Sequence, residues 1–202
     1  MSTNCMREIL ARYACRAFTV EDVDDEALGC VLNAGRLAPS GYGLEPWRFV
    51  VVRSPDLRRR AAAACFDQAP ATTAPVLIVL VALTEALRPG SAFVQRQLEA
   101  EAAGTDPAPL LEGYRAFYKG ADISAWATGQ CQIAAAFMML EATHQEVASC
   151  PIGGFDIDKL GQVLELPTGE TPALVLALGH CADAQGTRRR REARDVITYL
   201  RD

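Results

Sequence analysis

Four short stretches of this chain carry groups that could do chemistry. Near the start, Arg12 and Arg16 stand four residues apart, which puts both guanidinium groups on one face of a helix end or aims both from a turn into one pocket. Guanidinium groups hold anions by paired, charge-assisted hydrogen bonds, and a solvated basic face is the alternative. The second stretch is Ala38-Pro39-Ser40-Gly41-Tyr42-Gly43-Leu44-Glu45-Pro46-Trp47. Its Gly and Pro content lets backbone amides come close to a ligand, although a plain tight connection would look the same. The third, Ser149-Cys150-Pro151-Ile152-Gly153-Gly154-Phe155-Asp156, sets a Gly-Gly pair just before a predicted helix, where free N–H groups and the positive end of a helix dipole would meet, or where a strand simply turns into a helix. Cys150 lies within it, but no spacing supplies a base, so it reads as a packed thiol. The fourth is Arg188-Arg189-Arg190-Arg191, a solvated tail or a basic patch.

The elements that must position these stretches follow from periodicity. Met6, Ile9 and Leu10 share one face of a first helix, and Leu28, Val31, Leu32 and Gly35 form the stripe of a second over 24–37, with Asp24 as N-cap and Pro39 just beyond its end. Trp47 to Val52 reads as a strand, and Ser54-Pro55 opens a short helix to Cys65. Ala74 to Leu83 is apolar throughout, which predicts a strand buried on both faces. A long helix from Trp126 to about Gln145, capped by Ser124, is apolar all round over 133–140 and should be packed on several sides. Asp156 caps a short helix to Leu164, Ala173 to Leu178 is a further buried strand, and Val196 to Leu200 is a short extended tail. Between strand and long helix, residues 84–122 hold seven Pro or Gly residues with helical patches. They are a surface excursion or a lid, and the aromatic set Tyr114, Phe117, Tyr118 suits a lid. Helices and strands mix without strict alternation, which places the chain in the α+β class as a single domain over 1–202.

Composition narrows the function. The 202 residues are 50% hydrophobic and 22% charged, which excludes a disordered chain. A net charge of -5 argues against nucleic acid as the main partner, and the four successive arginines carry no interleaved aromatics. Of 20 basic residues, 18 are arginine and only Lys119 and Lys159 are lysine, from genome composition or because some arginines grip an anion. No apolar run approaches the twenty or so residues of a membrane span, and Arg7, Glu8 and Arg12 break any secretory leader. The seven cysteines form no CxxC pair, which predicts a reducing cytoplasm and mostly buried free thiols. With only His144 and His180, a His-rich metal site is excluded, and no metal is expected. A Walker A loop is absent, Pro46 stands where GxGxxG needs its last glycine, and Ala38 stands where GxSxG needs its first.

Taken in order, the stretches closely resemble the nitroreductase family of flavin mononucleotide (FMN) enzymes over nearly the whole chain. The resemblance rests on Arg12 and Arg16, on Ala38-Pro39-Ser40 through Pro46-Trp47-Arg48-Phe49, on Ala74-Pro75-Val76-Leu77-Ile78-Val79, on Gln130 to Leu140, on Ser149 to Asp156, and on Arg188 with Arg190. It implies a three-layer α+β sandwich around a mostly antiparallel sheet, in a homodimer whose C-terminal segments are exchanged and whose two FMN sites lie in the interface. Arg12, Arg188 and Arg190 would hold the phosphate, and Arg16 would face the flavin N1 and O2, where a cation favours reduction. A backbone N–H of Gly153 or Gly154, in the run Pro151-Ile152-Gly153-Gly154, would meet N5. Pro39-Ser40-Gly41 would hold the opposite ring edge, with Tyr13, Ala14 and, more loosely, Gln68 beside the cofactor. Hydride transfer needs no acid–base side chain because the cofactor carries the chemistry. The resemblance implies a cytoplasmic enzyme taking electrons from NAD(P)H and giving them, in two half-reactions, to a nitroaromatic, quinone or similar small acceptor. Tyr42, Gly43, Glu45, Phe117 and Tyr118 would line the acceptor site. Gly43 and Glu45 replace the family's asparagine and glutamine, and Gly153 replaces an acidic residue sometimes found there. These departures leave room for another acceptor, such as free flavin, an enone or a halophenol. A flavin-binding protein without turnover is the reading from a different class.

Overall fold

The computed structural model describes residues 5–183 and 186–200. Its centre is β2 (Val76–Leu83), every residue of which is buried except Leu83 at its end. Side chains alternate across a strand, so a strand covered on both faces must be apolar throughout. Val76, Ile78, Leu80 and Ala82 enter one core, while Leu77, Val79 and Val81 enter the other. β2 pairs with β1 (Trp47–Val52) on one side and β4 (Glu170–Gly179) on the other, and β4 pairs with β3 (Ala148–Ile152). The order is β1-β2-β4-β3 and every pairing is antiparallel. Register between β2 and β4 shifts at Leu80/Val81, opposite Pro172, which has no N–H to give a ladder.

One face of the sheet carries α2 (Asp25–Arg36), α5 (Ala92–Glu101), α6 (Ala108–Gly120) and α7 (Ile123–His144). The other carries α3 (Pro55–Ala64), α4 (Ala69–Thr73) and α8 (Ile157–Val163). A short α1 (Arg7–Ala11) lies against α7. The three-layer α+β sandwich is as the sequence led us to expect. Asp24 and Asp156 cap α2 and α8 by accepting the Ala27 and Lys159 N–H groups at 2.9 and 3.0 Å. Among the described residues no helix is long and apolar enough to cross a membrane.

Several expectations need correction. α7 is capped by Asp122, not Ser124: its carboxylate accepts the Ala125 N–H at 2.9 Å, and the helix starts at Ile123, three residues before Trp126. Ser54 makes no side-chain cap bond, and α3 relies on Pro55 in its first turn. Residues 84–122 are mostly helical, and α5 and α6 are tied to the core by Val94, Leu98 and Tyr114, whose hydroxyl donates to the Leu87 carbonyl. α7 does pack on several sides, against α1, α2 and the sheet, through Ala127, Cys131, Ala134, Ala135, Met138 and Ala142, but its apolar middle is not wholly covered, with Ile133 and Phe137 38% and 42% exposed. The thiols are not all free: Cys15 and Cys181 form a disulfide, with Cα atoms 5.8 Å apart across 166 residues of sequence. A pairing made by the fold between the two ends of a chain has no signature in cysteine spacing.

Candidate functional site

Arg12 ends α1 with an extended backbone, so Arg16 does not follow it around a helix. Residues 13–18 run beside the free edge of β3. Ala14 bridges Ser149 in parallel, the Cys15 N–H donates to the Ser149 carbonyl at 3.1 Å, and Phe18 bridges Cys181. Both arginines therefore point from an extended segment into one cavity of about 480 Å³. Tyr13, Ala14, Cys15 and Cys181 line it with them, and the C-terminal segment closes it through Gly186 to Arg190. Arg188 donates to the Ile9 carbonyl at 2.9 Å and to the Arg12 carbonyl, so this guanidinium also stitches the two ends of the chain together.

The charge in this cavity is unbalanced. Among the described residues none of Arg12, Arg16, Arg188 and Arg190 pairs with a carboxylate, although Asp183 lies on the rim. Burial, then the like charges of Arg188 and Arg190, pull the Arg12 guanidinium below its ordinary pKa. Cations gathered without a counter-charge await an anion. Arg12 and Arg16 also pull on the Cys150 thiol on β3, but burial is the larger effect and raises its pKa.

A second group sits where β3 ends. Gly153 and Gly154 are exposed, with nothing within 4 Å of where a Cβ on Gly153 would stand. Pro151 is exposed and Ile152 buried in the second core. The Gln68 amide donates to the Gly154 carbonyl at 2.6 Å and to the Cys65 carbonyl at 2.9 Å, so Gln68 is beside the glycine pair. The helix that follows, α8, starts at Ile157, and its N-cap Asp156 already accepts the Lys159 N–H at 3.0 Å.

The third group, Pro39 to Glu45, belongs to the opposite layer. The Gly41 N–H donates to Gln130 Oε1 at 2.9 Å, and a Cβ on Gly41 would stand 2.9 Å from the Trp126 ring. Ser40 Oγ accepts the Glu45 N–H at 2.8 Å, and the Gln97 amide donates to the Gly43 carbonyl at 3.2 Å. Tyr42, Gly43 and Glu45 have φ of 59°, 61° and 44°. A Cβ at Gly43 would meet the Glu101 carboxylate, so a side chain there would require the exposed Glu101 to swing aside. The Tyr42 ring packs on Tyr114 and Phe117 with centroids 5.4 and 5.6 Å apart, Phe117 meets Trp126 at 5.4 Å, and Tyr118 meets Tyr114 at 6.1 Å. Glu45 lines a separate cavity of about 580 Å³ with Arg36, Trp47, Phe49 and Phe93. The arginine cavity is lined by none of 39–45. Trp126, Gln130 and Gln97 were not among the expected site residues, although Trp126 and Gln130 are spaced i, i+4 on one helix face.

The sequence model of the nitroreductase family matches residues 9–180. The chain belongs to the nitroreductase family. A protein of Thermus thermophilus named NADH dehydrogenase is 31% identical over 182 residues, covering 86% of this chain and 85% of that one. An oxygen-insensitive NADPH nitroreductase of Helicobacter pylori (strain J99) is 29% identical, covering 94% and 93%. Among solved structures, a nitroreductase-like protein of Streptococcus mutans superposes with a TM-score of 0.85 at 20% identity, covering 96% of each chain. A chain from Exiguobacterium sibiricum solved in complex with FMN superposes with a TM-score of 0.80 at 20% identity, covering 99% of each. These likenesses agree with the nitroreductase sandwich described above.

Proposed function

We propose that this nitroreductase family member is a cytoplasmic, FMN-dependent homodimeric oxidoreductase that takes electrons from NAD(P)H and passes them to a nitroaromatic, quinone or similar small acceptor in alternating half-reactions. The observation that carries the reading is the arginine cavity: four cations from both ends of the chain face it with no carboxylate paired to any of them among the described residues. A phosphate dianion fits that donor set. Bound FMN supplies the two-electron chemistry through N5. Arg12 and Arg190 hold the phosphate, and Arg188 divides its donors between the anion and the backbone it already ties down. Arg16, exposed on the same wall with Tyr13 and Ala14, places a fixed cation for the charge that gathers on the reduced ring. Gly153 and Gly154 leave room for a ring edge to approach backbone, and Gln68 fixes that turn. The chain's part in the reaction is to bind, orient and stabilise charge.

The second copy follows from the placement of Pro39, Ser40 and Gly41. They sit in the other layer, away from the arginines of their own chain, and a partner's loop completes the cavity. Met6, Ile9, Leu10, Leu37, Ile133 and Phe137 expose apolar surface along α1, the end of α2 and α7, and this face suits a symmetric partner. Five unpaired cysteines and a nicotinamide donor fit a cytoplasmic setting. Tyr42, Gly43, Glu45, Phe117 and Tyr118 remain the acceptor-side residues in this reading, with the Glu45 carboxylate exposed where it can select against anionic acceptors.

Anaerobic titration of the purified yellow protein with NADH and then NADPH is the test. Rapid bleaching, followed by reoxidation with a nitroaromatic or quinone, is expected. A colourless protein that stays colourless after soaking in FMN would overturn the proposal. A yellow protein that neither nicotinamide bleaches would mark a flavin binder without turnover.

A further inference from the structure

We propose that Cys15 and Cys181 are a thiol–disulfide exchange site that clasps the arginine cavity, so that reducing the pair loosens the chain's hold on a phosphate-bearing flavin. The inference rests on the FMN reading above and deepens it. Cys15 lies between Arg12 and Arg16, and Cys181 opens the segment that brings Arg188 and Arg190 to the same cavity; both cysteines line it. The bond therefore joins the two halves of the anion site.

Little else holds those halves together. Two backbone hydrogen bonds, Thr19 N–H to the His180 carbonyl at 2.8 Å and Ala182 N–H to the Ala17 carbonyl at 2.9 Å, flank the disulfide. Among the described residues of 183–190, only the Arg188 guanidinium hydrogen-bonds back to the N-terminal segment. Against these acts the mutual repulsion of Arg12, Arg188 and Arg190. An anion relieves that repulsion. Without one, the covalent bond keeps the arginines gathered, so less ordering remains to be done when phosphate arrives.

The pair is also placed to react. Cys15 is 1% exposed, whereas Cys181 is half-buried and lines a second cavity with His180 and Ser149. An incoming thiolate reaches the Cys181 sulfur first. It forms a mixed disulfide there, and the old bond's electron pair leaves on Cys15 Sγ, which the chain places between Arg12 and Arg16. Once protonated, that thiol has the Ala17 carbonyl 3.1 Å away to donate to. The second thiolate of a small dithiol then displaces Cys181. In sum, one dithiol becomes a cyclic disulfide, and two protein thiols appear with its two electrons and two protons. A disulfide of the oxidised-glutathione class runs the exchange backwards and closes the clasp. The other buried thiols are poor competitors: burial pushes Cys65 up to about 11 and Cys131 up to about 12.

The experiment uses the full chain, oxidised with glutathione disulfide and then reduced with dithiothreitol, counting thiols at each stage. FMN and riboflavin affinities are read from flavin fluorescence, and trypsin cleavage within Arg188 to Arg191 is followed by mass spectrometry without flavin. Reduction should expose two further thiols, weaken FMN binding at least tenfold, change riboflavin binding less than threefold, and speed cleavage severalfold. Cys181→Ser should behave as the reduced protein with or without dithiothreitol. Unchanged FMN affinity after two new thiols are counted overturns the clasp, as does a pair that oxidised glutathione fails to close. If neither form binds FMN yet reduction still speeds cleavage, the clasp on the arm stands and the flavin reading falls.

Discussion

The arginine cavity and the loop at 39–45, the two regions to which the proposed function assigns a ligand, are built in opposite ways. The cavity joins residues 12–16 to residues 186–190 from the two ends of the chain, through one disulfide, the Phe18–Cys181 bridge and the reach of Arg188. The loop is a local connection between α2 and β1, yet α7, α5 and the Tyr42–Tyr114–Phe117 rings fix it from outside. One side stores unbalanced positive charge and is completed by what it binds. The other stores positive φ at Tyr42 and Glu45 and is complete before anything binds. Electrostatic sites can be left loose because the ligand organises them, whereas shape sites must be made rigid by the chain itself.

That contrast is broken most directly at the cavity. Arg12→Ala or Arg190→Ala should each weaken FMN binding by about 10- to 100-fold, since a charge-assisted hydrogen bond contributes ~1.5–3 kcal/mol. Thermal stability of the flavin-free protein should hold or rise, because the change removes a cation from a cluster of like charges. Titration calorimetry with FMN, beside a melting curve of the same sample, separates the two effects. An equal loss of stability and affinity would mean that the arginines are structural. Gly41→Ala strikes the other side. Its new Cβ would meet the Trp126 ring at 2.9 Å, and the indole cannot give way without disturbing Phe117. A destabilisation of ~1–3 kcal/mol is expected from such overpacking, measured by urea denaturation, with FMN phosphate contacts untouched. A variant as stable as the parent would show that the loop is softer than its contacts imply.

The two sides also differed in how readable they were. β2 could be placed because burial on both faces leaves no polar residue in the run, and α2 and α8 because an aspartate precedes each. The arginine pairs and the Gly-Gly turn could be named because charge and missing side chains are written in residue type. What could not be read was where they meet. Arg12 and Arg16 share a cavity wall through an extended segment lying on β3, a relation set by the Ala14–Ser149 bridge and not by helical spacing. Cys15 finds Cys181 for the same reason. α4 is five residues, too short to show a period, and β3 carries a proline that hides its alternation. Trp126 and Gln130 looked like part of a mostly apolar helix until the Gly41 loop was seen to rest on them.

Gln130 gives the finest test of the comparison. Its Oε1 accepts the Gly41 N–H from across 89 residues, in a partly buried setting. Gln130→Ala leaves that N–H without its partner at a cost of ~1–3 kcal/mol if water stays out, and less if water enters the space the side chain vacates. Gln130→Glu keeps the acceptor and should restore most of the loss, because a carboxylate oxygen in that place still takes the hydrogen. The consequence for turnover is sharper than for stability. If the loop presents its backbone to a flavin edge and the arginine cavity holds the phosphate, releasing Gly41 should lower kcat severalfold while FMN affinity changes little, since none of 39–45 lines that cavity. Stopped-flow reduction by NAD(P)H, run on both variants at saturating FMN, reads this directly. Parallel losses of kcat and FMN affinity would mean that loop and cavity are one cooperative unit, and the division of labour between a charged, ligand-ordered half and a rigid, chain-ordered half would not hold.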